Sequence, residues 1–381
     1  MSATAVLLVV LTGVIGGLLA FRSCRFHAWP PGIHQPTFET YPSHGTEAVV
    51  KHLDKQIYDA LLALGVDADQ VVFHEVKTQQ AGSDHWTFSD MEVRFKQHRL
   101  PENLGDFFSE FLAGSVPKPT VRVSQKAQNI TAIEVRVHGY LTHRLTFRFL
   151  ATRIPIPRPP RPLPRIAIII DDMGYDVQIA CRFLSLNAPL CFSILPYSPF
   201  QDQIAGRLHR KNREILLHLP MEPLEYPQVD PGPGALTSNM TREELVSQLE
   251  NDLRAVPFAV GVNNHMGSKL TQDAEKMAMI LSVLKRKNLF FVDSRTSAKT
   301  RCALVAKRLG LPFAQRQVFL DHVQDPHAIR FQIKRLISIA NKRGVAIGIG
   351  HPYAVTWRVL KENLDKIKSQ VQLVPVSSLV G

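Results

Sequence analysis

Arg165-Ile-Ala-Ile-Ile-Ile-Asp-Asp172 is an apolar, isoleucine-rich run that ends on two adjacent carboxylates. Short apolar runs separated by helical patterns read as buried parallel strands. Four later runs close in the same manner. Glu214–Leu217 runs into His218, Phe258–Val262 into Asn263, Asn264 and His265, Leu289–Val292 into Asp293, and Val345–Gly350 into His351. Strands of one parallel barrel point the same way, so their closing residues gather at one rim, where barrel enzymes place their chemistry. Strand candidates at Ile166–Asp171, Leu190–Leu195, Glu214–Leu219, Phe258–Val262, Leu289–Asp293, Val318–Leu320, Val345–Ile349 and Leu373–Val376 alternate with helical segments. Thr241-Arg-Glu-Glu244 is a capping box, and Asp325-Pro326 supplies an N-cap with a first-turn proline. The alternation predicts an α/β fold, a distorted TIM-like (β/α) barrel, over residues 166–381.

Working outward, Arg153–Arg165 holds six prolines in thirteen residues and reads as a stiff linker, 153–165. Before it, residues 45–152 read as a small α+β domain. Helical spacing covers Thr46–Leu64, and extended segments start at Gln70 and Trp86. A short helix is expected at Leu104–Leu112, with strands at Thr120–Ser124, Ala132–His138 and Leu141–Leu150. His138 and His143 flank a hairpin turn and read as packing or surface histidines. Residues 22–44 are a proline-bearing tether. Met1–Phe21 carries no charged side chain and is either a transmembrane anchor or a cleaved signal segment. Arg22 and Arg25 beyond it would by charge alone favour the opposite orientation, yet the expectation is export, with the body of the chain in the cell envelope outside the cytoplasm.

The 381 residues carry a formal charge of +12, and zinc-finger, P-loop and RNA-binding aromatic motifs are missing, which argues against nucleic acid. A solvated basic surface, or attraction to anionic lipid or an acidic envelope polymer, accounts for the charge. The four cysteines form no C-x-x-C and read as buried thiols. A Cys181–Cys191 pair would suit an oxidising compartment.

Asp171 and Asp172 repel one another and need a cation or a proton to coexist. On a regular strand they point to opposite sides, so that one can bind metal while the other faces substrate. Ile168-Ile-Ile-Asp-Asp-Met-Gly174, Phe192-Ser-Ile-Leu-Pro-Tyr197, His218-Leu-Pro-Met-Glu-Pro223, Gly261-Val-Asn-Asn-His-Met-Gly-Ser268, Phe291-Val-Asp-Ser294 and Gly348-Ile-Gly-His-Pro-Tyr353 occur in this order. Together they resemble the divergent polysaccharide deacetylase family over about residues 163–381.

The resemblance implies metal-dependent removal of acetyl groups from an N-acetylated envelope polysaccharide; the alternative is an inactive glycan-binding or scaffold protein. It implies that Asp171 is the general base, that Asp172 and His218 bind a divalent metal, zinc, and that His351 is the general acid. The parent superfamily's His-x-x-x-His becomes His218-x-x-x-Glu222 here, and His265 is the substitute ligand. The parent's Arg-x-Pro-Tyr and Asp-x-x-Asp-Trp motifs are missing. Asp293 either orients His351 or His265 or caps its strand. Asn263 and Asn264 either bind sugar hydroxyls or shape a turn. Tyr197 and Tyr353 either stack on sugar rings or pack.

Overall fold

The computed structural model describes residues 45–381 except 83, 96–99, 102, 128–129 and 150–161. The segment at 1–21, the tether at 22–44 and most of the proline-rich stretch therefore lie outside the described residues. No helix among the described residues is long and apolar enough to cross a membrane.

The N-terminal part begins with α1 (Thr46–Ala63), whose Val50, Leu53, Ile57 and Leu61 recur at helical spacing and are fully buried. The strands β1 (Val71–Ala81), β2 (Asp84–Phe95), β3 (Thr120–Ala127), β4 (Ile130–Val137) and β5 (Tyr140–Phe149) form one sheet in the order β1-β2-β5-β4-β3. Helix α2 (Leu104–Phe111) starts on the Asn103 cap and inserts Phe108 into the same core as α1 and the sheet.

The C-terminal part alternates strand and helix throughout. Its strands are β6 (Arg165–Met173), β7 (Cys191–Ile194), β8 (Glu214–Met221), β9 (Ala259–Met266), β10 (Phe290–Asp293), β11 (Phe313–Gln315), β12 (Val318–Phe319), β13 (Val345–Gly350) and the short β14 (Gln372–Leu373). The helices between them are α3 (Val177–Leu184), α4 (Gln201–Arg210), α5 (Arg242–Ala255), α6 (Ala274–Arg286), α7 (Cys302–Leu309), α8 (Pro326–Arg343) and α9 (Ala354–Lys368). The parallel sheet runs β11-β10-β9-β8-β7-β6-β13-β12. Its two end strands are separated by Arg316 and Gln317 alone, whose N–H groups bond the carbonyls of Asp293 of β10 and Ile347 of β13, so the sheet curls into a barrel-like shell whose edges meet in this one stretch.

Alternation along each strand separates two cores. Ile166, Ile168 and Ile170 of β6, Leu217 of β8 and Phe291 of β10 face the helices. Ala167, Ile169, Leu216, Val292, Ala314, Phe319 and Ile349 meet in a second cluster inside the curl. Gly261 sits against the Phe290 ring, and a Cβ there would lie 2.4 Å from it. That close approach lets an aromatic ring fill the interior.

The structure differs from the sequence reading in detail. β11 was not anticipated, because three residues are too few to show a period. Of the expected last strand, Leu373–Val376, only Leu373 lies in the observed Gln372–Leu373, which pairs with β6 off the main path. Val376–Leu379 is instead a 3₁₀ turn that plugs the interior with Val376. Cys191 and Cys302 are free, buried thiols, so the Cys181–Cys191 pair is not formed.

Helix α8 joins the two parts. Tyr58 and Phe331 stack with centroids 4.3 Å apart, and Ser338 donates to the Phe73 carbonyl at 2.6 Å. Asp54, fully buried on α1, faces Arg335 of α8 at 3.1 Å and His143 of β5 at 3.0 Å. Burial alone would raise the Asp54 carboxyl, but Arg335 and His143 outweigh it and hold it well below the usual carboxylate range. A depressed carboxylate contributes stability above its unfolded value, near pH 4, and loses it as pH falls toward the folded value. Asp54→Asn is expected to cost about 3–5 kcal/mol in urea unfolding at neutral pH. It should also flatten the acid side of the stability profile, and an unchanged midpoint would show that this contact does not tie the two parts together.

Candidate active site

The rim is assembled by strand parity. Positions of β6, β8, β9 and β13 that face the curl lead to Asp171, His218, Asn263, His265 and His351, and all five side chains are buried. Asp172 breaks the rule, since regular alternation would turn it toward the helices. The β6–β7 register slips between Ile170 and Met173, and Asp172 takes φ +54°. A left-handed non-glycine residue costs about 1–3 kcal/mol and persists only where its surroundings over-determine it. The bulge turns both carboxylates toward one point instead of opposite faces, which corrects the expectation drawn from a regular strand. His218 Nε2 lies 3.0 Å from Asp172 Oδ1 and 3.7 Å from Asp171 Oδ2.

Asp172 Oδ1, His218 Nε2 and His265 Nδ1 form a tight triangle. The carboxylate oxygen is 3.0 Å from each nitrogen, and the nitrogens are 3.2 Å apart. Among the described residues neither oxygen of Asp172 has a hydrogen-bond partner, although both are buried. A tetrahedral ion with bonds of about 2.0–2.1 Å sets its ligand atoms roughly 3.3 Å apart. The spacing, the orphaned buried oxygens and the one-carboxylate, two-imidazole donor set therefore fit a divalent cation.

Asn263 fixes the orientation of this group. Its Oδ1 accepts from His218 Nδ1 at 2.9 Å and from the Ser193 hydroxyl, while its Nδ2 donates to Asp171 Oδ1 at 2.8 Å. A proton on His218 Nδ1 leaves the Nε2 lone pair free to face the triangle. Asn263 is fully buried and supports the site from beneath. Asn264 alternates to the other side, donating to the Met266 carbonyl and accepting from Ser294 N–H, each at 2.8 Å, so it ties β9 to the end of β10.

Burial raises the Asp171 carboxyl, and the Asp172 charge adds to that, so the group is poised to take up a proton. Burial would raise Asp172 too, but His265 and His218 outweigh it and keep the group ionised. Burial opposes charge on both imidazoles; it prevails at His265, while Asp171 and Asp172 raise His218.

His351 faces the triangle from β13, its Nε2 3.6 Å from Asp172 Oδ2. Its Nδ1 is 2.8 Å from Asp321 Oδ1, and Asp321 Oδ2 accepts from His351 N–H and the Thr356 hydroxyl, both at 2.6 Å. Burial opposes the charged imidazole, but Asp321 outweighs it and pushes the His351 pKa up to about 9. Asp321 was missed in the sequence. It follows the short strand Val318–Leu320 by the same strand-then-carboxylate rule, and that was the available signal.

The remaining expected residues lie outside the triangle. Asp293 has the parity of the helix-facing side, and it accepts from Arg295 N–H at 2.8 Å and the Thr300 hydroxyl at 2.9 Å. It caps its strand and does not touch His351 or His265. Glu222 binds Lys269 at 2.6 Å and Ser238 N–H at 2.5 Å, which pins the loop after β8 to the end of β9. Tyr197 is partly exposed and meets Gln248 of α5 at 3.3 Å. Tyr353 sits beside His351, ring centroids 5.7 Å apart, on the near side of the rim.

Comparison with known proteins gives the family and the fold. A family model described as divergent polysaccharide deacetylase matches residues 168–380. The chain is 36% identical over 217 residues to the uncharacterized protein YibQ of Escherichia coli K12, covering 57% of this chain and 67% of that protein. An uncharacterized protein of Haemophilus influenzae is 32% identical over 215 residues, covering 56% of this chain and 76% of the other. A solved structure of an uncharacterized protein from Agrobacterium tumefaciens C58 shares the fold, with TM-score 0.56 at 22% identity, over 59% of this chain and 92% of that one.

Asn263→Leu keeps the volume and removes every polar contact beneath the triangle. It is expected to weaken divalent-cation binding about 10- to 100-fold, read by competition with a chromophoric chelator. Unaltered affinity would mean that the imidazole is oriented by packing alone.

Proposed function

Because the chain belongs to the divergent polysaccharide deacetylase family, we propose that it hydrolyses the acetamido group of an N-acetylated envelope polysaccharide at the rim, with zinc held by Asp172, His218 and His265. The observation that carries this reading is the buried carboxylate–imidazole triangle flanked by one raised carboxyl and one raised imidazole. A divalent cation bound there supplies positive charge to the acetamide oxygen and acidifies water.

The chain's own groups divide the proton work. Asp171 Oδ2 takes a proton from water as the water oxygen bonds to the carbonyl carbon. When the carbon–nitrogen bond breaks, His351 Nε2 delivers its proton to the departing nitrogen, leaving acetate and a free amine. Asp321 holds the His351 ring and keeps it protonated at neutral pH; Asn263 holds Asp171 and His218 in register. The glycan class and envelope setting are supported by the family and by the apolar run Met1–Phe21, which suits export or anchoring.

Three outcomes test the proposal. His218→Ala and His265→Ala should each lose zinc stoichiometry in elemental analysis and acetate release from chitotetraose. Asp171→Asn should lower kcat about 100-fold or more while zinc stays bound. A zinc-loaded wild-type chain that releases no acetate from any N-acetylated glycan would leave a binding protein in place of an enzyme.

The pH profile tests the acid. His351 is charged below its pKa, and the Asp321 anion raises that value, so Asp321→Asn lowers it. The alkaline limb of kcat, expected near pH 9, should move to lower pH in Asp321→Asn. A limb that stays in place would remove His351 from the role of proton donor.

A further inference from the structure

A cleft of about 480 Å³ lies where the N-terminal sheet faces the stretch that joins β11 to β12. Its walls come from both parts. Lys77 and Trp86 line it from the N-terminal sheet, Arg295 and Lys299 from the loop after β10, and Gln332 and Arg343 from α8. Seven lysine and arginine side chains line it against two acidic ones, Glu47 and Asp84. Of the seven, Lys51 pairs with Glu47 at 2.9 Å, Lys77 with Glu75 at 3.0 Å and Arg335 with Asp54 at 3.1 Å. Arg295, Lys299 and Arg343 make no salt bridge among the described residues. The charge is thus concentrated in a concave space, where it acts more strongly than on an open surface.

A second observation points to a ligand. Gln332 is only 2% exposed, and its Nε2 has no hydrogen-bond partner among the described residues although it borders the cleft. A buried, unmet donor is costly unless something in the cleft accepts from it. The cleft adjoins the catalytic rim across two buried side chains. Phe319 lines it, lies under the Arg316 guanidinium at 3.6 Å, and stacks on the His351 ring at 5.8 Å. Thr296, on the same wall, donates to the carbonyl of Met266, next to His265, at 3.0 Å.

We infer that this cleft binds the acidic part of the polysaccharide, sugar residues bearing carboxylate or phosphate groups, while a neighbouring acetamido sugar occupies the rim. The inference rests on the proposed deacetylation for the second half of that sentence and on the cleft alone for the first. It gives the N-terminal sheet a role as one wall of the substrate site. It also makes the substrate a mixed polymer of acetamido and acidic residues, distinct from a neutral chitin-like chain.

Calorimetry on the full chain tests this with two probes of equal length. One is a hyaluronan tetrasaccharide, which alternates N-acetylglucosamine with glucuronate; the other is neutral chitotetraose. The acidic probe should bind at least about tenfold more tightly at low salt, with the preference shrinking at about 0.5 M salt. Arg295→Gln/Lys299→Gln, on an accessible loop, should abolish the preference. Lys77→Gln, on the other wall, should reduce it independently if the loop variant folds poorly. Equal affinities for the two probes, a preference that survives both variants, or inorganic phosphate binding as tightly as the tetrasaccharide would overturn the inference. Asp171→Asn should keep the preference. Failure of acetate release with that preference intact would therefore count against the activity and leave the cleft standing.

Discussion

Two imidazole nitrogens stand 3.0 Å from one oxygen of Asp172, and among the described residues neither of its oxygens accepts a hydrogen bond. The rest of the rim is arranged around this buried charge, which the two imidazoles hold ionised against its burial. A cation at the triangle would complete the group and offset the remaining cost of desolvation. The left-handed backbone at Asp172 adds to that cost. Asn263, Asp321 and Thr356 hold neighbouring groups in place without contributing a ligand atom. Burial, strain and support together describe a site whose stability is deferred to what it binds.

Strand direction and strand-end chemistry were legible in the sequence, and they placed Asp171, Asp172, His218, His265 and His351 at one rim. Strand parity, applied in the sequence to Asp171 and Asp172 alone, explains most of the differences. Counting inward positions from Ala167 and Ile169 predicts Asp171 on the inner face; counting from Leu216 predicts His218, and from Val292 it excludes Asp293. The same count separates Asn263 from Asn264. Asp321 closes the anticipated strand Val318–Leu320, but so short a run gives its closing carboxylate little weight beside the longer ones. The Asp172 bulge could not be read from composition, since its cause is the convergence of groups distant in the chain.

The N-terminal part carries no catalytic cluster. Its bond to the barrel-like shell is a buried one. Asp54 and Tyr58 reach across to Arg335 and Phe331 of α8, while α8 packs on β13 so closely that a Cβ on Gly348 would come within 2.7 Å of Leu336. The helix that anchors the N-terminal sheet is therefore the one that positions the strand leading to His351. His322, next to Asp321, is half-buried with both ring nitrogens out of solvent, and its pKa is lowered to about 4, first by burial and then by Lys51 of α1. Packing thus reaches the acid side of the rim from the first helix of the described chain.

The joint between β11 and β12 has a mechanical consequence. One bent stretch passes from β10 to β13 there, its N–H groups bonding Asp293 and then Ile347. A ring of strands has a set circumference, and widening it breaks ladder bonds. The width of the mouth is therefore fixed at the bend by the continuity of the chain itself. Phe319 rides on that stretch and stacks on His351, so the acid's ring inherits the same fixed spacing.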